Sequence, residues 1–352
     1  MAADSNEDDL IERRKNIVFD DPSLAGAESD MHSSLLKATY SAGMDFATQV
    51  SLEIIDPEFS FAKNNYFQIT RDVYFKTTKF EDSEGLLTST VVTLPKLEYQ
   101  RLEIAAVTCQ RGRGSSPVWT VECRTKAMQQ MRRDKDPASI SGTSYDFVVN
   151  AAQKYGMGCF AEQTSKTRQI NKASNDRAAD STWDVIKNLA SQAKFVTFES
   201  DSILFFTSQK HLMGQWGSTY TDILEPEAIF ASGAIARDAY NVIPISWPSS
   251  PSEPFQLMEL PTVRKSDNDP LAVQGSMLVD RASGTALRPG MTIYLYNYPT
   301  MEGMYLISSV SYDILSSDPV RVDFRSAERE AKDIRQYDVG TTFSSTFIDR
   351  GF

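Results

Sequence analysis

Residues 180–206 read DSTWDVIKNLASQAKFVTFESDSILFF. Ser181 stands where a helix N-cap is needed, and Asp184 follows three residues on as the carboxylate half of a capping box. Trp183, Ile186, Leu189, Ala190 and Ala193 then recur at helical spacing on one face. At Phe195 the period changes. Phe195–Phe198 is β-rich, Glu199–Ser202 has turn chemistry, and Ile203–Phe206 is β-rich again. The spacing predicts a capped helix running into a β-hairpin.

This order resembles a stretch of phage tail hub proteins, the late control protein D family and the VgrG spikes of type VI secretion. Their pattern is a Thr or Ser, a Trp, a helix reading roughly L..LA...G, and a hairpin ending in an apolar L.F. The matching residues here are Ser181-Thr182-Trp183, Leu189-Ala190 and Ile203-Leu204-Phe205, with Lys194 where the family often has Gly. Each piece is common; the order is less so.

Working outward, Thr143–Tyr155 reads as a second capped helix. Thr143 is the cap, Asp146 the box carboxylate, and Val148, Ala151, Ala152 and Tyr155 the apolar face, with Gly156 after the last turn. A strand, Met157–Glu162, and a polar loop, 163–179, lead to Asp180. Residues 136–222 are thus expected to form one α+β insertion. Lys126–Lys135 reads as a short basic helix. A solvated face is favoured for it over contact with an acidic neighbour.

From Leu35 to about Arg124 the pattern is nearly all strand, and residues 35–135 are expected to form the first tube-like domain. Val50–Ile54 and Tyr66–Arg71 alternate with period two, and Val73–Thr78, Leu87–Leu94, Leu102–Cys109 and Val118–Arg124 are further β-rich runs. So many short strands predict a barrel or rolled sheet. The glycine-rich Arg111–Pro117 segment would need a helix after it to cradle phosphate, but another strand follows, so it reads as a hairpin tip. Residues 223–335 weaken around the proline-rich Trp247–Pro254 loop. They regain strand character at Met277–Val279, Met291–Tyr296, Met304–Tyr312 and Val320–Phe324, and a short charged helix is expected at Ser326–Lys332. The line LRPGMTIYLYNYPTMEGMYLISSVSYDI, 287–314, resembles the closing barrel of hub proteins, where L.PG turns into a strand and a G.Y strand follows. The opening Val50–Asp56 and Leu102–Cys109 resemble their first barrel.

Of 352 residues, 36 are Lys or Arg and 47 Asp or Glu, a formal net charge of −11. The first thirty residues account for −6 of it, with nine acids and three bases. The remaining body is acidic, which argues against a surface that grips nucleic acid, though not against one that DNA slides past. Residues 1–34 read as an acidic flexible arm. Its one apolar triplet, Ile17-Val18-Phe19, either anchors on a neighbouring subunit or packs on its own domain. Residues 336–352 read as a tail whose Phe343, Phe347 and Phe352 are candidate partner contacts. No transmembrane run and no secretory leader are visible. Cys109, Cys123 and Cys159 are odd in number and widely spaced, which suits free thiols in a reducing compartment. A Cys109–Cys123 disulfide is the alternative if the two sit on paired strands.

The only histidines are His32 and His211. No spacing assembles a zinc site, and no GxSxG, HExxH or Walker loop is present. The expectation is a protein that is not an enzyme, with no cofactor and no metal. The fold class expected is mainly β, with two tube-like barrels flanking the α+β insertion.

The resemblance implies a structural hub of a phage tail baseplate in the virion. It implies a homotrimer whose two barrels per chain form a pseudo-hexameric ring. Its partners would be the tail tube protein, the central spike protein and other baseplate proteins, with DNA passing through the lumen unbound. The alternative is a receptor- or carbohydrate-binding β-protein of the tail tip. That needs an exposed aromatic platform, for which Trp119, Trp183, Trp216 and Trp247 are candidates; the pattern places Trp119 and Trp183 in the interior.

Overall fold

The computed structural model describes residues 13–14, 16–19, 31–76, 99–111, 115–135, 143–162, 180–212, 242–247, 249, 255–265, 273–296 and 303–326. The chain is mainly β. It divides into two compact units, one built from described residues up to Phe206 together with Ser311–Asp318, the other from Thr207–Val310 and the residues from Pro319 on.

In the first unit, β1 (Ile17–Val18), β2 (Leu35–Gly43), β3 (Gln49–Ile55), β4 (Asp72–Lys76), β5 (Tyr99–Gln110) and β6 (Val118–Thr125) are ordered β1-β4-β5-β6-β3-β2. The β1–β4, β4–β5, β5–β6, β6–β3 and β3–β2 pairs are all antiparallel. Alternation decides which face is buried. Val50, Leu52 and Ile54 of β3, Val73 and Phe75 of β4, and Val121 and Cys123 of β6 point inward. Burying each such aliphatic side chain contributes roughly 1.5–3 kcal/mol. Tyr40 stacks on Phe75 and Tyr312, ring centroids 5.5 and 4.8 Å away. Leu36 falls where the β2–β3 register slips, and this bulge residue points out to solvent.

Tyr66–Arg71 is not the strand its alternation predicts. After β3, buried Asp56 accepts hydrogen bonds from Ser60 Oγ at 3.1 Å and Ala62 N–H at 3.1 Å, opening the one-turn helix α1 (Ser60–Lys63). Phe59, Asn65 and Thr70 then adopt positive φ, which breaks extended backbone. The apolar residues of the segment pack as a ring cluster instead: Phe67 lies 5.0 Å from Trp119, Phe61 contacts Tyr66 and Phe67, and Arg71 sits over Tyr66.

The helices follow the sequence closely. They are α2 (Lys126–Arg133), α3 (Ser144–Lys154) and, after β7 (Gly158–Ala161), α4 (Thr182–Ala193). Both predicted capping boxes are formed, Thr143 with Asp146 and Ser181 with Asp184. The β8 (Val196–Ser200) and β9 (Ile203–Thr207) hairpin closes through Asp201 and Ser202, both at positive φ as a tight two-residue turn requires. Its sheet is ordered β7-β9-β8, and β7 runs parallel to β9 with Cys159 opposite Leu204. Met128, Met131, Phe147, Trp183, Ile186 and Leu189 fill one core with Leu204 and Phe206, so α2 belongs to the same packed body as the insertion helices.

The second unit holds α5 (Gln209–Leu212), β10 (Val242–Ser246), β11 (Thr262–Lys265), β12 (Val273–Val279), α6 (Arg281–Gly284), β13 (Thr292–Tyr296), β14 (Gly303–Asp313, its last three residues belonging to the first unit) and β15 (Val320–Arg325). Its order is β14-β15-β12-β11, and β13 lies between β14, antiparallel, and β10, parallel. Gly290 turns the chain at φ 85° in the predicted Leu287–Gly290 turn. Neither unit's described strands close on themselves. The Leu87–Leu94 strand, the Ser326–Lys332 helix, apart from Ser326 itself, and the C-terminal tail lie outside the described residues.

Candidate functional site

Among the described residues of the insertion Glu199 is the most buried charge-bearing group, with 1% of its surface exposed. It lies on β8, beside the turn. Its Oε2 accepts from the backbone N–H of Thr48 at 2.9 Å, and its Oε1 from the N–H of Ser202 at 2.8 Å and from Gln100 Nε2 at 3.4 Å. Gln100 Nε2 also donates to Thr125 Oγ1 at 3.2 Å.

Thr48 is fully engaged. Its N–H goes to Glu199, its Oγ1 accepts from Asp201 N–H at 3.4 Å, and its carbonyl accepts from Thr125 N–H at 3.3 Å. Tyr40 donates its hydroxyl to Asp201 Oδ1 at 3.1 Å. One carboxylate thus joins the tip of the β8–β9 hairpin to residues at β3, β5 and β6. Burial raises its pKa, the Ser202 and Thr48 N–H groups lower it, and burial prevails, leaving Glu199 at about 7.

The basic helix is not a solvated face. Asp72 and Glu103 stand opposite each other on β4 and β5. Lys126 donates to Asp72 Oδ1 at 2.7 Å, and Arg133 pairs with Glu103, whose side chain is buried. Burial pushes Asp72 up, but the hydrogen bonds from Arg101 and Lys126 outweigh it and hold the carboxyl below its usual range. The acids that answer the basic helix come from the chain's own sheet, which the helix sequence alone could not reveal.

Of the candidate partner residues, Ile17 and Val18 form β1 opposite Phe75 and Tyr74, and Phe19 is buried beside them. The triplet packs on its own unit because β4 offers a free edge. His32, expected in a flexible arm, donates from Nε2 to Ile17 O at 2.7 Å. Phe343, Phe347 and Phe352 lie outside the described residues. All three cysteines are free. Cys109 and Cys123 are on paired strands, but the register sets Cys109 against Trp119 and Cys123 against Ile104.

Among the described residues no group of three His, Cys, Asp or Glu side chains could hold a metal, and no helix is long and apolar enough to cross a membrane. Among the described residues the large exposed apolar side chains are Leu36, Phe46 and Ile69 in the first unit and Met258 and Leu260 in the second. Trp119 and the rings of Phe59, Phe61 and Tyr66 around it are half-buried rather than interior, with Phe67 buried beneath them, whereas Trp183 is buried as the pattern predicts.

No protein-family model matches the chain, and no curated protein matches it. Among solved structures it is similar to a tail protein from Neisseria meningitidis MC58, with a TM-score of 0.48 and 11% identity over 86% of this chain and 94% of that one. It is also similar to the 43 kDa tail protein of prophage MuSo2 from Shewanella oneidensis, with a TM-score of 0.47 and 8% identity over 83% and 93%. A third is an E. coli component of the type VI secretion system, itself described as similar to the T4 bacteriophage tail proteins gp27 and gp5, with a TM-score of 0.47 and 9% identity over 85% and 76%.

Proposed function

We propose that the chain is a structural hub of a phage tail baseplate. The observation that carries the reading is the local fold of residues 180–206. The stretch that resembles the hub pattern forms a capping-box helix, turns at Lys194 in a left-handed conformation where that pattern often has Gly, and closes in a hairpin whose last strand holds Ile203-Leu204-Phe205. The second resembling line supports it, since Leu287–Gly290 is a turn and β13 and β14 are the two strands that follow.

In this reading three copies form a ring, and the two β units of each chain act as the two tube-like domains that give it pseudo-six-fold symmetry. The ring joins the tail tube protein above to the central spike below, contacts other baseplate proteins, and lets the genome pass. An acidic body suits a lumen that does not hold DNA by counterion release. The reading assigns the chain no catalytic step, no cofactor and no metal, and a place in the virion tail.

Light scattering of the purified full-length chain, followed by negative-stain imaging, tests it. A three-fold ring is the expected result. A monomer at every concentration reached, with no ring formed on adding tail tube protein, overturns it.

A second reading, a receptor- or carbohydrate-binding protein, draws on the half-exposed rings of Phe59, Phe61, Tyr66 and Trp119. Phe59 meets Trp119 at 89° and Phe61 meets Tyr66 at 83°, so these rings pack edge to face and offer no flat coplanar shelf for a sugar. Glycan-array binding that is lost in Trp119→Ala would favour this reading over the hub.

A further inference from the structure

The Glu199 junction carries an inference independent of the hub reading. Its carboxyl bridges two bodies that meet inside the first unit: the β8–β9 hairpin, and the ends of the interior strands β3, β5 and β6 at Thr48, Gln100 and Thr125. Thr48, Gln100, Thr125, Ser202 and Glu199 are all buried, so water screens a charge at this point only weakly. The N–H groups of Thr48 and Ser202 can donate to a carboxylate or to a neutral carboxyl alike. The Thr125 hydroxyl can donate to the charged form or accept the proton of the neutral form. Both protonation states therefore have a hydrogen-bonded solution, and they differ in the cost of burying charge.

We propose that Glu199 is a proton-operated latch: a neutral carboxyl seats the β8–β9 hairpin on the sheet, and a charged one lets the hairpin open more readily.

The charged groups that face Glu199 set where the latch works. From the hairpin itself, Asp201 opposes ionisation of Glu199. From α2, half-buried Arg132 interacts favourably with it, while also feeling Arg124 and Asp184. From β2, the Tyr40 hydroxyl donates to Asp201 Oδ1. From β5 and β6, Gln100 and Thr125 contribute neutral dipoles.

The sign follows from linkage. Glu199 titrates near 7 in the fold against 4.5 when free, so the folded hairpin holds a proton that the open one releases. The latch is fully seated below the free value and loosens as pH rises. It levels off once the folded group has itself ionised. Between pH 6 and pH 8 the opening constant rises about ten-fold, nearly all of it below pH 7.5.

Hydrogen exchange of residues 196–207 in the full-length chain, corrected for the intrinsic pH dependence of exchange, reads this directly. The expected result is a protection factor about ten-fold lower at pH 8 than at pH 6, with α4 as internal reference. In Asp201→Asn the levelling-off moves to lower pH, and in Arg132→Gln to higher pH. Glu199→Gln removes the pH response altogether. Should that variant not fold, the opposite shifts of the other two decide alone. A hairpin whose protection is unchanged from pH 6 to 8, or whose response is unmoved by both Asp201→Asn and Arg132→Gln, overturns the proposal.

Discussion

Asp72 on β4 stands directly opposite Glu103 on β5, and helix α2 supplies a cation to each, Lys126 to Asp72 and Arg133 to Glu103. Like charges facing each other across a ladder repel, so the helix cations, together with Arg101 on β5 beside Asp72, offset a repulsion built into this part of the sheet. Arg133→Ala leaves the buried Glu103 carboxylate without its cation. Because Arg133 is half-exposed, water recovers part of the loss, and a destabilisation of about 1–3 kcal/mol is expected. Urea unfolding at neutral pH measures it, and Arg133→Lys should restore much of the difference.

Ser181 and Asp184 close the box at the start of α4, with Asp184 N–H donating to Ser181 Oγ at 3.2 Å and Ser181 Oγ donating to Asp184 Oδ2 at 2.7 Å. Ser181→Ala should cost about 1 kcal/mol. The hydrogen bond from Ser181, then that from Lys187, holds Asp184 at about 2. A lowered carboxylate contributes stability that is present above its free value of 3.8 and lost as pH falls toward 2. The difference between Ser181→Ala and the parent chain should therefore shrink in acid, as thermal unfolding at pH 6 and pH 3 would show.

Lys194 ends α4 at φ 58°, a region that a side chain with a Cβ enters at a cost. Lys194→Gly should stabilise the chain by roughly 0.5–1 kcal/mol, even though glycine also loosens the unfolded chain. A lower melting temperature in this variant would refute the argument.

Gly275 on β12 lies where an added Cβ would stand 2.6 Å from the Thr262 carbonyl oxygen and against the Phe324 ring. The ring can turn, but the backbone of β11 cannot. Gly275→Ala should destabilise by about 1–3 kcal/mol. Proteolysis at β11 should quicken with it, since Val263 pairs with Gly275.

Cys109 is exposed, while Cys123 and Cys159 are buried. Burial raises both buried thiols, Cys159 to about 12 and Cys123 further still. A thiol reagent at pH 8 should therefore label one cysteine per native chain quickly, and three in denaturant. Two fast thiols in the native protein would place one of the buried pair at the surface.

What the sequence determined by itself lies within about one helical turn or one strand of each signal. The two capping boxes, the turn at Gly290, the β5–β6 hairpin and the apolar faces of α3 and α4 each depend on neighbours along the chain, and all were legible. Tertiary structure decided the rest, because the partners are distant in sequence and no local pattern encodes them. Tyr66–Arg71 alternates like a strand, yet it bends to pack its rings against Trp119. Ile17–Phe19 reads either as a contact for a neighbouring subunit or as a patch for its own domain, and only the edge of β4 decides between them. Glu199 reads as a turn residue. It becomes a buried junction only because folding brings in Thr48, 151 residues earlier, and Gln100, 99 earlier, to take its two oxygens out of water.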